Sequence, residues 1–60
     1  MAARKTLLGQ KIRRLRQERG LTQQQMAAEL GISASYLNLI EHDERPVTVS
    51  LLLKLGEKYG

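Results

Sequence analysis

Apolar residues along this chain recur at spacings of three and four, and the rhythm is interrupted three times. Leu8, Ile12 and Leu15 form the first stripe, while Lys11, Arg13, Arg14 and Gln17 spread over the rest of the turn. That spacing predicts a helix from about Leu7 to Arg19. Met26, Ala27 and Leu30 form a second stripe, Leu37 and Ile40 a third, and Val49, Leu52, Leu55 and Tyr59 a fourth. Leu51 and Leu53 fall on opposite flanks of the fourth, so its apolar arc is wider than four helices can readily cover. An open apolar surface of this kind marks a contact.

The interruptions carry helix-end chemistry. Gly20 suits the left-handed stop of the first helix, with Leu21 able to pack back on the last turn. "TQQQ" opens the second helix as a capping box, Thr22 toward the amide of Gln25 and Gln25 back toward Thr22. Gly31 closes it, and Ile32 is the apolar residue expected beyond a glycine cap. Ser33 caps the third helix, which fades near "EHDERP", because Pro46 disfavours helix at Arg45. Thr48 or Ser50 caps the fourth.

Helices two and three are about two turns each, too short to stand alone. The Gly31 turn lets them cross steeply, and the small side chain of Ala27 permits close approach. A helix-turn-helix has this form, and so does an ordinary αα-corner.

Composition sharpens the fold class. Sixty residues with no Phe, no Trp and two Tyr favour a single all-α domain, 1–60, whose core is small. The absence of Cys excludes disulfides, thiolate metal sites and a Cys nucleophile. The longest apolar run, Leu51-Leu52-Leu53, is far below the ~20 residues of a membrane span, and the start lacks a signal-peptide core. A soluble cytoplasmic protein is expected. His42 sits among Glu41, Asp43 and Glu44, but no second His or Cys completes a metal shell. No enzyme, metal or cofactor is expected.

Charge is unevenly placed. Residues 1–20 hold seven Lys/Arg and one Glu, a net of +6, and residues 21–60 hold three Lys/Arg and five Asp/Glu, a net of −2. The asymmetry suggests a polyanion or an anionic membrane as partner, although a solvated basic helix would look the same. Against the membrane, the stripe of the first helix lacks bulky interfacial aromatics.

With Leu37 and Ile40 inward, the opposite face of the third helix carries Ser35, Asn38, Leu39 and His42, with Ala34 and Tyr36 on the flanks. An idle surface would hold Lys and Glu. Short uncharged donors and acceptors beside a leucine instead suit base edges and a thymine methyl, with Asn well matched to adenine. Phosphate contacts have separate candidates: Gln23 at the start of helix two, where free amides can hold a phosphate, then Tyr36, Arg45 and Arg13. Arg4 and Lys5 belong to a basic arm, residues 1–6.

Taken together, "IRRLRQERGLTQQQMAAELGISASYLNLIEHDERP" resembles the helix-turn-helix domain of the phage-repressor and xenobiotic-response-element (Cro/C1-type) group of bacterial transcription factors. The specific parts are "RGLTQ", the "A…LGIS" turn and "SYL..IE", and the likeness covers roughly residues 8–59. It implies a five-helix, lambda-repressor-like bundle that binds double-stranded operator DNA as a homodimer, with residues 22–41 as the helix-turn-helix and helix three in the major groove. The resemblance carries base reading to Ala34, Ser35, Asn38 and Leu39, and a phosphate contact to Gln23. It pairs Arg16 with Glu41 in a partly buried salt bridge, and a repressor-type regulator is the expectation. Ala34 and Leu39 depart from the family, which often has polar readers there. The chain also stops at Gly60, just after helix four, where members usually continue, so a compact bundle of four helices without the family's fifth is expected. "SYLNLIEHDERPVTV" resembles regulators of acetate, propionate and short-chain fatty-acid metabolism, whose large sensor region is not visible in this chain.

Overall fold

Helix ends in this protein are set by side chains close in sequence. A computed structural model describes residues 8–60, so the arm with Arg4 and Lys5, and the expected start of the first helix at Leu7, lie outside the described residues. Four helices follow in order: α1 (Leu8–Glu18), α2 (Gln23–Leu30), α3 (Ala34–Glu41) and α4 (Val49–Tyr59). No strand occurs among the described residues.

The Thr22 hydroxyl accepts the Gln25 amide at 3.0 Å, and Gln25 Oε1 accepts the Thr22 amide at 2.9 Å, so the capping box is complete. Ser33 Oγ accepts the Tyr36 amide at 3.0 Å, and Thr48, not Ser50, caps α4 by accepting the Leu51 amide at 3.1 Å. Gly31 adopts φ 75°, which glycine reaches without a Cβ penalty. Its amide and that of Ile32 then return to the carbonyls of Ala28 and Ala27, satisfying the last turn of α2 within three residues of the start of α3.

α3 packs on both α1 and α2, and α4 lies against α2. Met26, Leu30, Leu37 and Ile40 are fully buried, and Ile12, Ala27, Leu51 and Leu55 complete the core. Half-buried Leu15, Leu21, Ile32, Val47 and Tyr59 pack around it.

The inner face of α4 differs from the wheel-based expectation. Leu51 is buried, whereas Val49 is 73% and Leu52 42% exposed; Leu53 is 63% exposed. Four leucines in five residues offer two competing stripes, and packing against α2 selects the one through Leu51, Leu55 and Tyr59. Val47, just before the Thr48 cap, packs on the core in place of Val49. On the exposed side of this contact, Lys54 Nζ donates to the Leu30 carbonyl at 3.2 Å.

Two further ties brace the bundle. Gly9 lies so close to the end of α3 that a Cβ there would fall 2.5 Å from the Ile40 carbonyl oxygen. Its amide donates to Asp43 Oδ1 at 3.1 Å, and Asp43 itself takes the left-handed φ of 60° that ends α3. At the far end, Arg19 Nη2 donates to the Tyr59 carbonyl at 2.9 Å and its guanidinium lies 5.2 Å from the Tyr59 ring centroid. The Tyr59 hydroxyl donates to Glu29. Desolvation first, and the Glu29 carboxylate second, push that hydroxyl up to about 12, against a smaller downward pull from Arg19.

Candidate nucleic-acid interface

The turn at Gly31 sets the N-terminus of α2 beside the outer face of α3. Gln23, Ala34, Ser35, Asn38 and Leu39 line one open concavity of 520 Å³ between them. Five residues separated in sequence by up to 16 positions thus share one surface. Ser35 and Asn38 are exposed, while Leu39, Ala34 and Gln23 are half-buried. Leu39 is therefore less open than a helix wheel suggests, and Ala34 leans on the core. The capping box takes up the amide of Gln25 with the Thr22 hydroxyl; the amides of Gln23 and Gln24 belong to the first turn, which has no partners within its own helix.

Beneath the concavity runs a continuous chain of polar contacts. Arg16 Nε donates to Glu41 Oε2 at 2.7 Å and Nη2 to Oε1 at 3.1 Å, a two-point pairing of guanidinium with carboxylate. The third arm of the guanidinium, Nη1, donates to the Leu21 carbonyl at 3.0 Å. Side-chain exposure is 13% for Arg16 and 1% for Glu41. A charge so buried is tolerated only when paired and hydrogen-bonded, and Glu41 gains one more donor, Gln23 Nε2, at 3.1 Å. The same Nε2 reaches Asn38 Oδ1 at 3.0 Å. No buried side-chain nitrogen or oxygen among the described residues lacks a partner.

The remaining candidates lie outside the concavity. Tyr36 is half-buried against the core, Arg45 is exposed in the turn after α3, and Arg13 is exposed on α1. Arg4 and Lys5 fall outside the described residues. Two members of the acidic cluster near His42 are committed elsewhere, Glu41 to Arg16 and Gln23 and Asp43 to the Gly9 amide, while Glu44 is exposed. His42 Nδ1 lies 2.8 Å from the Asn38 carbonyl oxygen. A second concavity, bounded by Glu18, Arg19, Glu29, Lys58 and Tyr59, contains none of the candidate residues and carries both signs of charge.

Sequence reasoning missed Gly9 and Asp43, whose contact spans 34 positions. A glycine inside an apolar-periodic stretch was the available signal for a close backbone approach. It also missed the link from Glu41 to Asn38 through Gln23, which depends on the crossing angle of two helices.

Comparison with known proteins bears on this surface. A family model described as helix-turn-helix matches residues 12–60. The chain is 54% identical over 56 residues to the HTH-type transcriptional regulator RamB of Mycobacterium tuberculosis, covering 93% of this chain and 12% of that protein. It is 43% identical over 58 residues to a propionyl-CoA carboxylase regulator of Cereibacter sphaeroides, covering 97% of this chain and 13% of that one. An uncharacterized HTH-type transcriptional regulator of Sinorhizobium fredii shares 41% over 54 residues, which is 90% of this chain and 70% of the relative. The chain thus spans a small part of the first two and most of the third. No helix among the described residues is long and apolar enough to cross a membrane.

Proposed function

The chain belongs to the helix-turn-helix family of DNA-binding transcriptional regulators, and from that premise we propose that it reads operator DNA by laying α3 in the major groove. Residues 1–60 then act as one DNA-binding unit, with residues 22–41 as the helix-turn-helix and residues 1–6 as a basic arm on the backbone.

The observation that carries this reading is the shared concavity of Gln23, Ala34, Ser35, Asn38 and Leu39. Asn38 and Ser35 supply donors and acceptors at a face free of Lys and Glu, and the methyl groups of Ala34 and Leu39 suit thymine. Gln23 and the first amides of α2 meet a phosphate at the groove edge. Tyr36, Arg45, Arg13, Arg4 and Lys5 supply sequence-independent contacts.

Two copies of the chain bind a near-palindromic site, with the two α3 helices about one turn, ~34 Å, apart. The setting is the cytoplasm, and the action is repression. The relative named as a propionyl-CoA carboxylase regulator supports a target among genes of short-chain acyl metabolism.

Selection of bound duplexes from a random library tests the proposal. The expected result is a two-fold related motif with half-sites one turn apart, lost in Ser35→Ala/Asn38→Ala. Retention of all duplexes with equal affinity, or retention on anionic vesicles without DNA binding, overturns it.

A further inference from the structure

Both protons of the Gln23 amide are engaged, one by Glu41 Oε1 at 3.1 Å and one by Asn38 Oδ1 at 3.0 Å. The direction of this chain is dictated from its buried end. Both oxygens of Glu41 accept from Arg16 in the two-point pairing, and a carboxylate only accepts hydrogen bonds. It must therefore face the nitrogen of Gln23, not the oxygen. That nitrogen can only donate, so Asn38 must turn its own oxygen toward it. The reversed amide would set two donor nitrogens against each other 3.0 Å apart. What remains on the groove side of Asn38 is Nδ2 with both protons.

We infer that Glu41, acting through Gln23, fixes the hydrogen-bonding polarity of Asn38, so that α3 presents an amide donor to the groove and rejects cytosine at the base it faces. The inference rests on the proposed placement of α3 in the major groove. Nδ2 finds acceptors at N7 and O6 of guanine, at O4 of thymine and at N7 of adenine, whereas cytosine shows only its N4 amino group there. Donor would meet donor. Glu41 and Gln23 are positioning residues in this scheme, since the polarity is set whether or not either touches a base. Specificity is thus anchored to the same ion pair that joins α1 to α3.

The test compares duplexes that differ at one base pair. Asn38→Ala, assayed on a selected site, first identifies the pair at which preference disappears. The unmodified chain is expected to prefer an acceptor base over cytosine at that pair by about 5- to 150-fold. In Gln23→Leu the Asn38 amide can turn either end outward, so the ratio falls toward one. In Gln23→Glu the new carboxylate draws Nδ2 inward, and the preference shifts toward cytosine. Loss of the phosphate contact proposed for Gln23 lowers affinity for every duplex alike and cancels from the ratio, so only the change in Asn38 polarity moves it. Unchanged helical circular dichroism in both variants excludes unfolding. Cytosine preferred by the unmodified chain, or a ratio unmoved in both variants, overturns the inference while leaving DNA reading by α3 intact. If Asn38→Ala alters preference at no position, the base contact itself fails and the polarity scheme falls with it.

Discussion

At Asn38, an exposed amide stands over a buried carboxylate with one side chain, Gln23, between them. On the proposed reading, its exposure lets it reach a base edge and its tether limits how it does so. Asn38→Ala is expected to cost about 1–3 kcal/mol on a specific site and little on nonspecific DNA. Arg45→Ala should weaken both and reduce the salt slope by about one unit. Binding isotherms over a salt series on both kinds of duplex distinguish the two, and equal losses for Asn38→Ala would remove direct readout. Gly9 is a residue of another kind, fixed by space. A Cβ there meets backbone oxygens at 2.5 and 2.7 Å, which cannot retreat as a flexible side chain would. Gly9→Ala should therefore destabilise the domain by roughly 1–3 kcal/mol, read as a lower urea midpoint. An unchanged midpoint would mean that α1 and α3 can separate at no cost.

Between elements, the Arg16–Glu41 pair joins α1 to α3 at the point where Gln23 brings in α2. Removing one partner strands a charge, so Arg16→Met or Glu41→Leu alone is expected to cost roughly 3–5 kcal/mol. The double variant should be more stable than either single one, because apolar groups replace both charges. Additive losses in the urea-based cycle would show that the two side chains do not interact. The end of α4 is tied differently, through the Tyr59 hydroxyl on Glu29. Its raised proton affinity favours the neutral phenol in the folded chain. This contribution to stability is present below pH 10, the unfolded value, and is lost as pH climbs from 10.0 to about 12. A phenolate absorbance titration should show a late component that Tyr59→Phe abolishes. A wild-type titration with a single midpoint near pH 10 and no later component would show that the contact with Glu29 does not form in solution.

Across the whole molecule, the question is which leucines hold the fold and which stay exposed. Leu51 belongs to the core and Leu53 does not. Leu51→Lys is expected to destabilise the domain by roughly 3 kcal/mol or more, and Leu53→Lys to stay within about 0.5 kcal/mol of the parent. Thermal melts of the two variants decide the phase of α4, and equal effects would reverse the assignment. On the proposed homodimeric reading, sedimentation of the free domain should give a monomer or weak dimer, and that of the DNA complex two copies per site. A tight dimer without DNA contradicts that expectation.

Much of this was legible one segment at a time. Thr22, Gln25, Gly31 and Ser33 announce the ends of α2 and α3, because caps and left-handed stops are interactions within a few residues. Met26, Leu30, Leu37 and Ile40 follow from spacing alone, since each stands on a short helix with one dominant apolar stripe. The outward set of α3 follows by exclusion from the same spacing. Family likeness supplied the partner of Arg16, which no local rule could name. Only the tertiary structure decided the face of α4, where clustered leucines make two stripes equally apolar and only the fit against α2 separates them. Gly9 against Ile40, Asp43 on the Gly9 amide, and the polarity handed from Glu41 to Asn38 were likewise decided there. Each depends on groups remote in sequence being brought together, with hydrogen bonds of 3.0–3.1 Å among them, and their approach is fixed by crossing angle and offset. Periodicity determines which side of a helix turns inward, but not what waits for it on the other side.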